Sequence, residues 1–155
     1  MITPEVFEDE KYKHIYFRNE NDVAIRSLVL NKKGDVVQDE ISEYGKDGRH
    51  LTSVVFAPDY ITVLGYREYH YDEVGNETGH SNYKRINDEM KFIYSTKSSW
   101  IEKDIKAICK FYDDKNKFLY YEIFEHDENC GMVWMGTYNA SGEEARIPFQ
   151  SYSNF

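Results

Sequence analysis

The sequence predicts an all-β protein whose strands form one antiparallel meander. Three observations predict this fold class. Turn signals recur about every fourteen residues, the segments between them are rich in β-branched and aromatic residues, and no long segment has a clear helical period. Aromatic residues make up 16% of the 155 residues, which is typical of a packed fold. The length fits a single domain over residues 1–155.

The turn signals occur at regular positions along the chain. Asn, Asp and Gly tolerate a positive φ, and Asn and Asp also bond their own backbone, so these residues are favoured in tight turns. Turn segments begin near residues 31, 45, 58 and 72, and again near 113, 127 and 139. Strands joined by such turns must be antiparallel neighbours. The spacing therefore predicts a meander of about ten strands.

The segments between these turns have the composition of strands. Residues 23–30 and 51–56 are rich in branched side chains, and residues 60–64 continue the same pattern. Residues 118–124 and 132–138 combine aromatic and branched side chains. Two closures of the sheet are compatible with this pattern. We expect an open twisted or partly rolled sheet, and the alternative is an up-and-down β-barrel.

Two segments are ambiguous between helix and strand. Residues 99–102 read as a helical capping box, and the apolar residues of 99–112 fit both one helical face and the alternation of a strand. The turn rhythm favours a strand over residues 105–112. At the N-terminus, Thr3 as a cap and Pro4 in the first turn are compatible with a short helix over residues 4–13.

The charge of the chain excludes several classes of partner. The formal net charge is -9, and no basic stripe interrupts it, so we expect no nucleic-acid binding. No apolar run approaches the length of a membrane span, and the acidic N-terminus does not resemble an export signal. We therefore expect a cytoplasmic protein, with Cys109 and Cys130 as reduced thiols. The same negative charge suits a basic partner.

The sequence contains no motif that predicts catalysis. It lacks a His-Glu-x-x-His motif, a Gly-x-Ser-x-Gly elbow and a glycine-rich phosphate loop. Cys109 lies between Ile108 and Phe111, and burial among apolar groups makes a thiol inert. We therefore expect no enzyme activity, no catalytic residue, no metal site and no cofactor.

One segment resembles a known repeat. Residues 69–78 read YHYDEVGNET, which resembles the YD repeat of Rhs-type proteins, a Tyr-x-Tyr-Asp-x-x-Gly-Asn-x-Thr pattern. Weaker echoes occur at residues 30–34, 112–116 and 138–142. The chain is also similar to small bacterial antitoxin or immunity proteins made of β-hairpin repeats, of the YwqK type. It lacks the strict Tyr-x-Asn-Gly signature of that repeat.

This resemblance implies a function in toxin neutralisation. Proteins of this kind are acidic, cytoplasmic and non-enzymatic, and they block a cognate toxin domain, such as a basic nuclease, by direct binding. The alternative function is a β-barrel that binds a hydrophobic or aromatic small molecule. An open meander could also dimerise through an edge strand.

Carboxylates with neighbouring Tyr or Trp are typical of a binding surface for a basic protein. The residues that we expect at the surface contacting the toxin are Asp39, Glu40, Glu43, Tyr44, Tyr71, Asp72, Glu73, Asp113, Asp114 and Trp134.

Overall fold

The computed structural model describes residues 4–102, 105–126 and 132–145. Within these ranges the chain contains eleven β-strands and no helix. No helix of the described residues could therefore cross a membrane. The strands are β1 (Glu5–Glu8), β2 (Tyr12–Arg18), β3 (Ala24–Asn31), β4 (Val36–Tyr44), β5 (His50–Phe56), β6 (Val63–Tyr71), β7 (Glu77–Ile86), β8 (Glu89–Glu102), β9 (Lys106–Asp113), β10 (Phe118–His126) and β11 (Met132–Tyr138).

The strands form one antiparallel sheet in sequence order. The order runs from β1 to β11 without a crossover, and β1 and β11 are its two edges. The prediction of an all-β open meander is therefore confirmed, and the barrel alternative is wrong because the two edge strands do not pair with each other. Local turns dictate this topology, since each links a strand only to its next neighbour.

The chain divides into two compact units. Among the described residues, the first unit contains the chain up to Glu68 together with Lys84–Lys91. The second unit contains Tyr69–Tyr83 and the chain from Phe92 onwards. The strands β6, β7 and β8 contribute residues to both units.

Five turns share one hydrogen-bonding pattern. Their first residues are Asn19, Asn31, Asp72, Asp113 and Asn139. In each, the N–H of the first residue donates to the carbonyl of the fifth, and the N–H of the fourth donates to the carbonyl of the first. The side-chain oxygen of the first residue accepts the N–H groups of the third and fifth residues. The fourth residue always has a positive φ, which explains the recurrent Gly, Asn and Asp.

The N-terminal segment is a hairpin, so the expectation of a helix over residues 4–13 is wrong. Strand β1 pairs with β2, with Val6 opposite Ile15. The turn between the two strands is built on Asp9, whose Oδ1 accepts the N–H groups of Lys11 and Tyr12, both at 2.7 Å. These bonds, with a further one from His14, lower the pKa of Asp9 to about 2. The carboxylate therefore stabilises a reversal of the chain where a helix would have continued.

The ambiguous segment 99–112 is extended. Strand β8 continues to Glu102 and β9 begins at Lys106, so the strand interpretation is confirmed in the described part of the segment. The two strands pair over most of their length, with Ser98 opposite Cys109. The apolar residues of this segment therefore alternate because successive side chains of a strand lie on opposite faces of the sheet. The predicted turn at residues 127–129 and Cys130 lie outside the described residues.

A buried ion pair anchors the first unit. Asp39 on β4 is 1% exposed, and its two oxygens accept hydrogen bonds from Nε and Nη2 of Arg26 at 2.8 and 2.9 Å. The guanidinium lies 5.8 Å from the ring centroids of both Phe17 and Tyr60. The planar geometry of arginine allows it to bond the carboxylate with two nitrogens and contact aromatic rings at the same time.

Removal of Arg26 tests this ion pair. We expect Arg26→Met to lower the free energy of unfolding by about 3 kcal/mol, because it leaves the Asp39 carboxylate buried without its cation. Urea denaturation measures the change. Arg49→Met is the matched control, since Arg49 pairs with the exposed Asp47 at 3.1 Å, and it should cost under about 1 kcal/mol. Equal losses in the two variants would contradict the role given to Arg26.

Substitutions of Asp72 test the shared turn. Hydrogen bonds from the side chain and backbone of Asn76 lower the pKa of Asp72, so this carboxylate stabilises the fold above the unfolded pKa of about 4 and loses that effect as the pH falls through the lower folded pKa. We expect Asp72→Ala to lower Tm at neutral pH. Asp72→Asn should keep the neutral-pH Tm, because Asn occupies this position in three of the turns, and should reduce the loss on acidification. A fall in Tm for Asp72→Asn equal to that for Asp72→Ala would refute the account.

Candidate functional site

The register of β8 to β11 arranges the side chains of the second unit in rows. Residues directly opposite each other in an antiparallel ladder share one face of the sheet, and three successive rows follow from the pairing. We call the surface that carries these rows the groove face. Its rows are Trp100, Ala107, Phe124 and Trp134; then Ser98, Cys109, Glu122 and Thr137; then Thr96, Phe111 and Tyr120.

Aromatic rings contact one another along the groove face. Phe111 stacks on Tyr120 with ring centroids 4.5 Å apart and also approaches Tyr94 at 6.0 Å. Trp100 lies 5.3 Å from the ring of His126. Tyr94 and Tyr120 are buried, so this cluster supplies local packing energy and fixes the positions of the neighbouring polar side chains.

A groove of about 840 Å³ lies on this face. Its lining comes from the turn that begins at Asp72 and from β7, β8, β9 and β10. The apolar side chains are mainly aromatic, namely Trp100, Phe111 and Phe124. The lining also includes carboxylates at Asp72, Glu77 and Glu122 and contains no Lys or Arg among the described residues. A volume of this size is typical of ligand-binding clefts.

Among the carboxylates that line the groove, Glu122 has the charge that hydrogen bonds and cations offset least. It lies between Cys109 and Thr137 in the second row and is half-buried. The Thr137 hydroxyl donates to its Oε1 at 3.4 Å. Among the described residues, no Lys, Arg or His nitrogen lies within 4.0 Å of it. Burial raises the pKa of Glu122, and the Thr137 hydrogen bond offsets only part of that rise.

Cys109 is a packed thiol in the same row. Loss of solvent raises its pKa, and hydrogen bonds with Ser98 and Thr96 oppose this only in part. The negative charges of Glu122 and Glu77 add to the increase. A thiol with a raised pKa is a poor nucleophile, so Cys109 contributes to packing of the groove floor.

Four of the ten residues predicted from the sequence belong to the first unit. Asp39 is buried in its pair with Arg26, and Glu40 is half-buried. Tyr44 donates its hydroxyl to the carbonyl of Ala24 at 3.0 Å. The exposed member is Glu43, which accepts a hydrogen bond from Thr52 at 3.0 Å. The residues concerned are Asp39, Glu40, Glu43 and Tyr44.

The other six predicted residues belong to the second unit. Asp72 lines the groove, and Trp134 ends the first row, directly opposite Phe124. Tyr71 is half-buried at the end of β6, and Asp113 begins one of the shared turns. Glu73 and Asp114 are exposed turn residues. The structure thus brings Asp72 and Trp134 to the groove face. The six residues are Tyr71, Asp72, Glu73, Asp113, Asp114 and Trp134.

Sequence reasoning missed the residues at the centre of the groove. Trp100, Glu122 and Phe124 come from different strands and converge only through the pairing of β8, β9 and β10. The one signal in the sequence was alternation within β10, where Glu122 and Phe124 occupy positions of the same parity. Alternation identifies a face but does not indicate which residues of other strands share it.

The histidines of the described residues have structural partners. His70 is hydrogen-bonded to Ser81 at 2.8 Å, and His80 to Thr96 at 3.1 Å. No group of three or more His, Cys, Asp or Glu side chains in the described part of the chain has a geometry that could hold a metal ion.

Comparison of the sequence with known protein families and with curated proteins finds no match. The functional inference therefore depends on the groove face and on the charge of the chain.

Replacement of Glu122 by Gln tests whether burial of its charged carboxylate lowers the stability of the fold. Burial raises the pKa of Glu122 in the folded state. The protonated carboxyl group is compatible with folding below the unfolded pKa of about 4, and this stability is lost as the group ionises while the pH rises through the folded pKa. We therefore expect Glu122→Gln to raise Tm at pH 7 by about 1–3 °C. Near pH 3.5 the variant and the parent should melt alike. Glu73→Gln, at an exposed turn position, is the control, and a lower Tm for Glu122→Gln at pH 7 would show that the carboxylate stabilises the fold.

Proposed function

We propose that this protein is an immunity or antitoxin protein, which neutralises a bacterial toxin domain by binding it directly. The observation that carries the proposal is the first row of the groove face. Trp100 and Trp134 lie at its two ends with 43% and 55% of their surfaces exposed, and Phe124 and the small Ala107 lie between them. Trp100 also lines the groove, and exposed Trp side chains are typical anchors of protein–protein interfaces.

The exposure of apolar side chains supports a protein partner. In the described residues, three large apolar side chains are buried, namely Val55, Tyr94 and Tyr120, whereas seventeen are exposed. The exposed set includes Val133, Trp134 and Met135 of the edge strand β11, and Trp134 lies on the groove face with the exposed Trp100. Large exposed apolar side chains grouped on one face commonly mark an interaction site.

The charge supports a basic partner. The chain carries a formal charge of -9, and the groove combines carboxylates with no lining Lys or Arg among the described residues. A negative surface accelerates the encounter with a positive protein and disfavours acidic ones. Many nucleases present positive surfaces to nucleic acid, so a basic nuclease or similar effector acting in the cytoplasm is the toxin class that we propose.

Binding of a small molecule is the second candidate function. The groove volume of about 840 Å³ falls within the range of roughly 300–1,000 Å³ that is usual for small-molecule sites. Its aromatic lining would suit an aromatic or hydrophobic compound. In this case the site would be an open groove on a sheet, because the sheet is not closed into a barrel.

Co-purification from the native host separates the two functions. We expect the tagged protein to retain a basic protein in stoichiometric amounts, and that protein should arrest growth when expressed alone and not when co-expressed with this chain. If native mass spectrometry instead shows a retained small molecule and no partner protein, the toxin-neutralising function is refuted and the second candidate replaces it.

The two Trp residues provide the sharpest test of the interface. We expect Trp100→Ala and Trp134→Ala each to weaken toxin binding by about 30-fold, the effect of losing an anchor worth about 2 kcal/mol, measured by calorimetry with the purified toxin domain. Phe7→Ala is the matched control, because Phe7 is 59% exposed on β1 of the first unit. Unchanged affinity in both Trp variants, with unaltered circular dichroism, would exclude the first row as the binding surface.

A further inference from the structure

We infer that the groove receives an arginine side chain of the partner protein, with Glu122 as its counter-ion. The identity of the donor as a toxin rests on the proposed function, whereas the recognition of a guanidinium group rests on the groove alone. Three features support the inference: a half-buried carboxylate with no described ion pair, a lining without Lys or Arg among the described residues, and aromatic rings in the same lining.

The carboxylate of Glu122 is held at an energetic cost. Burial disfavours its ionised form, and its one described hydrogen bond is the long contact of 3.4 Å from Thr137. By contrast, the buried Asp39 has two short bonds to Arg26. The same chain therefore shows how an arginine compensates a buried carboxylate, and Glu122 lacks such a partner among the described residues.

The groups that surround Glu122 do not neutralise it. On β9 it faces the Cys109 thiol, and on β11 the Thr137 hydroxyl. Glu77 contributes a second negative charge beside Cys109. His80 and His126 also line the groove, where His80 contacts Thr96 and Glu77 and the His126 ring lies against Trp100. The site therefore favours a positive ligand group at neutral pH.

The aromatic lining favours arginine over lysine. Phe124 lies two positions from Glu122 on the same face of β10, and Trp100 and Phe111 also line the groove. A guanidinium can stack on an aromatic ring while it donates two parallel hydrogen bonds to a carboxylate, and it loses less hydration than an ammonium on entering a partly apolar site. The Arg26 side chain, between Phe17 and Tyr60, has this combination of contacts in the first unit.

Titration with a minimal probe tests guanidinium recognition without the toxin. The probe is acetyl-arginine amide, and acetyl-citrulline amide is its neutral isostere. We expect the arginine compound to shift amide NMR signals of Cys109, Glu122 and Phe124, with affinity about fivefold or more above that of the citrulline compound. Glu122→Gln should remove that preference. Glu20→Gln, at an exposed turn position of the first unit, should leave it unchanged.

The results separate this inference from the proposed function. Equal shifts with the two compounds, or an undiminished preference in Glu122→Gln, would overturn the guanidinium site whether or not a toxin is found. An arginine preference that depends on Glu122, together with no co-purifying protein, would support the site and refute the toxin-neutralising function. Once a toxin domain is isolated, Glu122→Gln should weaken its binding about tenfold or more, and unaltered toxin affinity would show that no partner arginine uses the groove.

Discussion

Five hairpins of the described structure depend on one local interaction, the acceptance of two backbone N–H groups by an Asn or Asp side chain at the start of a turn. This interaction reverses the chain within five residues and leaves the fourth residue at positive φ. Each turn also sets the register of the hairpin that it closes, and a shift of one residue would move every side chain to the opposite face. A meander assembled from such hairpins has only local connections, so its rows of side chains follow from where the turns lie.

A sheet formed in this way has little apolar core. Buried apolar residues are few among the described residues, and many positions are half-buried. The two units use different means of packing. The first buries the Asp39 carboxylate against Arg26, and the second stacks Phe111 on Tyr120 with Tyr94 nearby. The surface that remains exposed is consequently rich in aromatic and branched side chains, which is favourable for a binding protein and unfavourable for an isolated monomer.

The sequence predicted the fold better than the site because the two depend on different distances along the chain. The turn at Asp72 and the strand at Met132–Tyr138 were readable from a few adjacent residues, as was the open meander. The N-terminal helix was wrong because Thr3 and Pro4 resemble a helix start, whereas the turn at Asp9 and the pairing of β1 with β2 decide the local structure. Asp39 illustrates the limit for sites, since its burial depends on Arg26, thirteen positions earlier on another strand.

Asp39 is paired with a cation of its own chain, whereas the described partner of Glu122 is the Thr137 hydroxyl. This difference bears on function. Burial raises the pKa of the Glu122 carboxylate, and its described hydrogen bond is long, so ionisation of this group opposes folding. Glutamine would fill a similar volume and could also accept the Thr137 hydrogen bond without the cost of a buried charge. A charge placed where its ionisation opposes stability is typical of a binding site, because its compensation arrives only with the ligand. The aromatic residues beside Glu122 make a guanidinium the cation that best supplies this compensation.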